Sequence, residues 1–295
     1  MNIQAWISRN TASLKDKTVA VTGTTGGIGV WLCEYLVSLG AGLILLDRNE
    51  NKQKENKEKL LEKHPDARIK CINVDLSDIN SVKLATEALK REKTDVFIHN
   101  AGAYSIPRYI TDTDLDNVFQ INFASPYYMI KELLPSLSER GGRVVAVGSI
   151  AHNYSKSDVN DIDFRTKKRA SLVYGNAKRY LMFSLYCLFE NQRGATLSIA
   201  HPGITFTNIT AHYPRVVYAI IKNPMKVIFM KPKTASLSIL RGVFEKTDSC
   251  EWIGPRIFNI WGTPTKKKLK TAKTEEIDRI FETAEKLYKR IKSQN

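Results

Sequence analysis

Thr22-Gly23-Thr24-Thr25-Gly26-Gly27-Ile28-Gly29 joins an apolar run to a helical stretch. Residues of these types, so spaced, can hold an anion by backbone alone. Gly23 permits a tight turn, Gly27 lets the backbone approach a pyrophosphate, and Gly29 allows close helix–strand packing. The helix after the turn presents unpaired N–H groups to a phosphate, with Thr25 and Ile28 beside them. A glycine-rich turn that binds nothing remains the other reading, because the spacing is G-x-x-x-G-x-G. About twenty residues on stands Asp47, where a carboxylate can accept from a ribose 2′-hydroxyl and would repel a 2′-phosphate. That favours NAD. Arg48 beside it can pair with such a phosphate and keeps NADP open. Asp47 also reads as a strand-end cap.

These residues need elements to hold them, and the chain supplies a regular alternation. Thr18–Gly23, Leu43–Arg48, Ile69–Leu76, Asp95–Gly102, Arg143–Ser149 and Thr196–Gly203 read as strands. Their near-continuous apolar residues suit a parallel sheet buried on both faces. Helices are expected at Ile28–Leu39, Asn49–His64, from Thr113 with Asp116 in capping-box register through about Leu137, and at Ser171–Asn191. Right-handed crossovers between successive strands make this an α/β, doubly wound sheet. A seventh strand is expected at Arg256–Gly262 and an amphipathic helix at Thr274–Lys292. No composition shift marks a second domain, so residues 1–295 read as one.

Further motifs follow in order: Asn100-Ala101-Gly102, Asn122 in QINFAS, Ser149 in VAVGS, Tyr174-Gly175-Asn176-Ala177-Lys178, and Pro202-Gly203. With the glycine turn they resemble the short-chain dehydrogenase/reductase family from about Lys17 to Gly203, and more loosely to Gly262. The resemblance implies a Rossmann-type fold with about seven parallel strands, a nicotinamide cofactor, and hydride transfer between an alcohol and a carbonyl. It implies Tyr174 as acid/base, Ser149 as hydrogen-bond donor to the substrate oxygen, Lys178 on the nicotinamide ribose, and Asn122 holding a relay water. The chemistry suits the residue types. A free phenol titrates near about 10, and Lys178 one helical turn on is expected to draw that value down. By the same resemblance Asp75 and Leu76 flank the adenine and Asn100, Ala101 and Gly102 line the cofactor. Pro202, Gly203, Ile204 and Thr207 lie by the nicotinamide. Asp75 also reads as a helix-start residue, Asn122 as a buried staple and Ser149 as a strand end.

The segment Ile150–Ser171, with its AHNY opening, an acidic patch (Asp158, Asp161, Asp163) and a basic one (Lys167, Lys168, Arg169), is similar to the retinol-dehydrogenase-like branch. Asp47 departs from that branch, and His99 stands where many family members carry asparagine. The cofactor-binding core is thus read as 17–203, a substrate lid as about 204–233, and a terminal strand and helix as 250–292. The lid mixes Phe206, Tyr213, Tyr218 and Phe229 with Arg215, Lys222, Lys226 and Lys231, which suits a partly hydrophobic substrate.

Composition bounds the rest. Lys+Arg number 45 against 30 Asp+Glu, a net charge of +15, and hydrophobic residues are 43%. The chain lacks zinc-finger spacing, an RNA-binding aromatic signature, H-E-x-x-H and C-x-x-C. Nucleic acid and metal are therefore not expected, and the Lys266–Lys268 run with Lys270 reads as a solvated linker. Cys33, Cys71, Cys187 and Cys250 are expected as buried free thiols. No apolar run reaches membrane-spanning length and no secretory signal opens the chain, so a cytoplasmic protein is expected. The aromatic excess of the Thr113 and Ser171 helices (Phe119, Phe123, Tyr127, Tyr128, Phe183, Tyr186, Phe189) suggests a homodimer, as the resemblance also does. A non-catalytic NAD(H)-binding sensor is the alternative function.

Overall fold

The computed structural model describes residues 2–190, 192–205, 229–269 and 272–294. A short helix α1 (Ile3–Asn10) precedes β1 (Thr18–Thr22), α2 (Gly27–Ser38), β2 (Gly42–Asp47), α3 (Glu50–Lys63), β3 (Ile69–Asn73), α4 (Ile79–Lys90) and β4 (Val96–His99). A helical turn at Asn117–Phe119 and a π-helical turn at Gln120–Ala124 then lead into α5 (Ser125–Glu139). The chain continues through β5 (Arg143–Val147), a 3₁₀ turn (Ile150–Asn153), α6 (Ala170–Glu190) and β6 (Thr196–Ala200). It ends with α7 (Pro232–Phe244), β7 (Glu251–Ile257), β8 (Trp261–Lys268) and α8 (Thr274–Ser293).

One eight-stranded sheet, in the order β3-β2-β1-β4-β5-β6-β7-β8, makes this a single α/β domain. Seven strands run parallel, and β8 adds to the edge antiparallel to β7. Alternate strand residues enter two separate cores, as a parallel sheet covered on both faces requires. Ala20, Ile44, Phe97 and Val144 pack toward α4, α5, α6 and α8. Val19, Val21, Leu43 and Ile98 pack toward α1, α2, α3 and α7. Strand order reverses between β1 and β4, which opens a crevice at their carboxyl ends.

Several local expectations are corrected. Arg256–Gly262 is the end of β7 and the turn into β8, because Phe258, Asn259 and Gly262 take positive φ of 49°, 58° and 95°. Lys266–Lys268 is not a linker but the last three of the eight residues of an edge strand, where charge guards the open edge. Lys267 Nζ donates to the carbonyls of Pro255 (2.5 Å) and Arg256 (2.9 Å), pinning the hairpin. Asp116 itself caps the helical turn after Thr113, accepting from Val118 N at 3.0 Å. All four cysteines are free, but only Cys33 is buried and Cys71 is exposed. Asp161 and Asp163 are buried rather than a surface patch. Asp163 accepts from the Asp116 amide at 2.8 Å.

The aromatic excess finds its partner inside the chain. Ile280, Ala284, Leu287 and Ile291 form the buried stripe of α8, spaced for one helical face. That stripe covers α5 and α6. Tyr127 Oη donates to Glu285 Oε1 (2.7 Å), and Tyr128 packs on Tyr288 with ring centroids 5.9 Å apart. Phe119, Phe123, Tyr127, Tyr128, Phe183 and Tyr186 are all buried in one copy, and Phe189 is half-buried. Among the described residues, no helix is long and apolar enough to cross a membrane.

Candidate active site

The crevice holds a cavity of about 490 Å³. Its floor is the glycine turn. Gly23 has φ +71°, and a Cβ there would sit 2.8 Å from Ala101 Cα. A Cβ on Gly29 would lie 2.1 Å from the Gly23 carbonyl oxygen, so the first turn of α2 needs glycine to close on the loop. Gly26, the N-cap of α2, brings no side chain to the helix N-terminus and leaves its amides to an anion. Of the residues expected to bind cofactor, Gly23, Thr25, Gly27, Ile28, Gly29, Asp47, Arg48, Asp75, Leu76, Asn100, Ala101 and Gly102 all line this cavity. Lys52, Ile106 and Ile121 line it too and carried no motif.

Asp47 does more than its strand-end position suggests. It is 5% exposed. Its carboxylate accepts from Thr24 Oγ1, from Thr25 N (3.1 Å) and from Thr25 Oγ1 (3.1 Å). Burial pushes its carboxyl up from the usual range, against the pull of these donors. Arg48 is the exposed neighbour, its side chain 73% open and 3.9 Å from Asp75. Asp75 in turn accepts from Ser77 N (2.9 Å) and Ser77 Oγ (2.7 Å) in the turn before α4, whose N-cap is Asp78.

The ends of β1 and β4 are stitched together. Asn100 Nδ2 donates to the carbonyls of Thr22 (3.1 Å) and Gly23 (2.9 Å). Thr22 Oγ1 accepts from the amides of Asn100 (3.1 Å) and Ala101 (3.0 Å). Its own hydrogen is then free for His99 Nδ1, 3.3 Å away, which makes His99 Nε2 the protonated ring nitrogen. Burial and the nearby Lys178 charge hold the His99 pKa well below its ordinary value, so the ring is neutral. His201, on the strand end beyond β6, stacks on Trp252 with ring centroids 4.8 Å apart.

None of the expected catalytic residues Asn122, Ser149, Tyr174 and Lys178 lines this cavity; Asn122 and Lys178 lie behind its Gly102 end. A Cβ at Gly102 would lie 2.8 Å from Asn122 Oδ1 and 3.8 Å from Lys178 Nζ. Asn122, in the π turn, spends its side chain on Ala103 N (3.3 Å), Ala103 O (2.8 Å) and Val118 O (2.8 Å). Its amide therefore staples helix to loop. Ser149 follows β5, accepts from Ala151 N at 3.2 Å, and its side chain draws the Tyr174 phenol down. Tyr174 and Lys178 share a face of α6, with Lys178 Nζ 5.7 Å from the Tyr174 ring centroid. Lys178 donates to the Val147 carbonyl at 2.9 Å.

The electrostatics differ from the expectation. Burial pushes the Tyr174 phenol up to about 12, although the Ser149 side chain pulls it down. Burial also brings Lys178 down to about 7. Desolvation disfavours both charges and outweighs the attraction expected between them. The pair at neutral pH is thus an acid poised to donate, beside an amine near its midpoint. Tyr104, not singled out in sequence, stands edge-on to Tyr174 at 5.4 Å. Pro202, Gly203 and Ile204 follow β6 outside the cavity lining, with Gly203 at φ +83°. Thr207, and with it Phe206, Tyr213, Arg215, Tyr218, Lys222 and Lys226, lies outside the described residues.

Comparison with known proteins bears on the family and the fold. Residues 17–159 match the family model for short chain dehydrogenase. Short-chain dehydrogenase TIC 32 A, chloroplastic, of Brassica napus is 30% identical over 216 residues, 67% of each chain. Human retinol dehydrogenase 13 is 26% identical over 211 residues, 68% of this chain and 62% of that one. A crystal structure of an uncharacterised protein from Mycobacterium paratuberculosis superposes with a TM-score of 0.74 at 20% identity, covering 96% of this chain and 97% of the other. Motifs, topology and relatives converge: the chain belongs to the short-chain dehydrogenase/reductase family.

Proposed function

We propose that this protein is an NAD(P)-dependent oxidoreductase that moves a hydride between a nicotinamide cofactor and an alcohol or carbonyl substrate. The observation that carries the reading is Tyr174 one helical turn before Lys178, its ring centroid 5.7 Å from Lys178 Nζ, with Lys178 behind the Gly102 end of the glycine-turn cavity. The cavity fits a dinucleotide: its turn closes only with glycine at Gly23 and Gly29, and its helix N-terminus is uncapped by side chains. When bound, the cofactor supplies or takes the hydride. The chain does the rest. Tyr174 gives a proton to the carbonyl oxygen in reduction and takes it in oxidation, Ser149 fixes that oxygen, and Lys178 orients the cofactor and replenishes the proton. Tyr104 gives the acid an apolar flank, which suits a partly hydrophobic substrate.

For the cofactor, the buried Asp47 charge supports NAD. The exposed Arg48, with Lys52 beside it on the cavity wall, supports NADP as the second reading. For assembly, α8 already covers the aromatic face that suggested a homodimer, and this supports a chain that works in single copy. Calorimetric titration with NADH and NADPH, followed by turnover on a panel of aldehydes and ketones, tests the reading. Binding of either cofactor with carbonyl-dependent oxidation is expected. Tight binding without turnover on any carbonyl or alcohol would instead favour the sensor.

A further inference from the structure

The carboxyl-terminal helix reaches the catalytic residues through one buried chain of contacts. Glu276, in the first turn of α8, faces Arg179, the residue after Lys178 on α6. Glu276 Oε1 accepts from Arg179 Nε (2.8 Å) and Oε2 from Arg179 Nη2 (2.8 Å), with both side chains almost closed to solvent. The same Oε1 takes the amide (2.8 Å) and hydroxyl (2.9 Å) of Ser157 in the loop after the 3₁₀ turn. The remaining guanidinium arm, Nη1, donates to the carbonyl of His152 (2.9 Å).

His152 is fully buried and edge-on to both Trp252 (5.8 Å) and Phe183 (6.1 Å). Its Nδ1 stands 2.6 Å from the Ser149 carbonyl, which can only accept, so Nδ1 carries the hydrogen. The His152 amide donates to the same carbonyl at 3.2 Å. The backbone of Ser149 is thus held twice by one residue, and that residue is held by Arg179 and Glu276. The Ser149 side chain in turn acts on the Tyr174 phenol, drawing it down.

A fork-to-carboxylate pair is geometrically demanding, since both hydrogen bonds need one plane. Burial makes such a pair a poor source of stability but a strict locator. Resting on the proposed roles of Ser149 and Tyr174, we propose that Glu276, Arg179 and His152 are positioning residues: together they set the Ser149 turn, so that α8 completes the active site rather than merely covering α5 and α6.

Two substitutions in the full chain separate positioning from packing. His152→Phe keeps a ring against Trp252 and Phe183 but removes the donor to Ser149. Glu276→Gln keeps an acceptor for Ser157 but breaks the charge pairing. The readouts are the Cζ resonance of Tyr174 in isotope-labelled protein, assigned with Tyr174→Phe, together with kcat and cofactor KM on an aldehyde panel. In both variants the resonance is expected to move toward its position in Ser149→Ala, and kcat to fall about tenfold or more with cofactor KM unchanged, as small misplacements of a reacting group do. A Tyr174 resonance unmoved in His152→Phe would overturn the inference, whatever happens to stability. A wild-type chain without turnover would contradict the proposed function instead, while the resonance still decides the positioning.

Discussion

Tyr174 and Lys178 show how burial sets the chemistry of single residues. Burial brings Lys178 from the ordinary lysine range down to about 7, so above that pH it is neutral in the folded chain while the unfolded chain is still protonated. Unfolding then takes up a proton, so stability should rise with pH between 7 and 10 by about 1.4 kcal/mol per unit. Lys178→Met should abolish that rise in denaturant titrations at stepped pH. Tyr174 at about 12 acts in the opposite sense: above pH 10 the folded chain keeps a proton that the unfolded chain releases, and stability falls. Alcohol oxidation, which needs the phenolate, should climb through the alkaline range, whereas carbonyl reduction should hold level near neutrality.

Asp47 gives a separate test at this scale. Because its carboxylate holds Thr24 and Thr25, Asp47→Ala should lower stability by about 1–3 kcal/mol, the cost of stranding buried partners. It should also weaken NADH and NADPH together. Weaker NADH with stronger NADPH and an unchanged melting temperature would show that Asp47 acts on the ribose alone.

Among elements, those whose signals are local were readable. The glycine turn, the Asn100-Ala101-Gly102 strand end and the Tyr174–Lys178 turn carry their chemistry within a few residues, and the first two line one cavity. What escaped depends on contacts between distant segments. Nothing near Asp47 says that its acceptors will be filled by Thr24 and Thr25, and nothing near Tyr174 reveals how dry its surroundings are. β8 reads as a lysine run because an edge strand buries almost nothing, and its partner is a hairpin away. The Thr274–Lys292 helix was visible by its period, but not where its stripe would dock. Ending the chain after Lys273 should expose α5 and α6. Each of Ile280, Leu287 and Ile291 withdraws roughly 1.5–3 kcal/mol of burial, so the truncated chain should lose its cooperative melting transition, measurable by calorimetry. A truncated chain that melts like the full one would remove α8 from the folding unit.

For the whole molecule, the intramolecular docking of α8 bears on assembly. The aromatic face of α5 is closed within one chain by the Tyr127–Glu285 and Tyr128–Tyr288 contacts. Light scattering should return a mass near 33.4 kDa, and twice that mass would mean that the chain associates through another surface.

The central claim is that Tyr174 performs proton transfer next to a nicotinamide held on the glycine turn. Its most direct test is a single-turnover experiment. Wild type and Tyr174→Phe are loaded with NADH or NADPH and mixed with a reactive aldehyde, while cofactor oxidation is followed by absorbance. Both proteins should bind cofactor equally, and the variant should oxidise it about a hundredfold more slowly or less, the scale of a lost general acid. Equal rates in the two proteins would contradict the account.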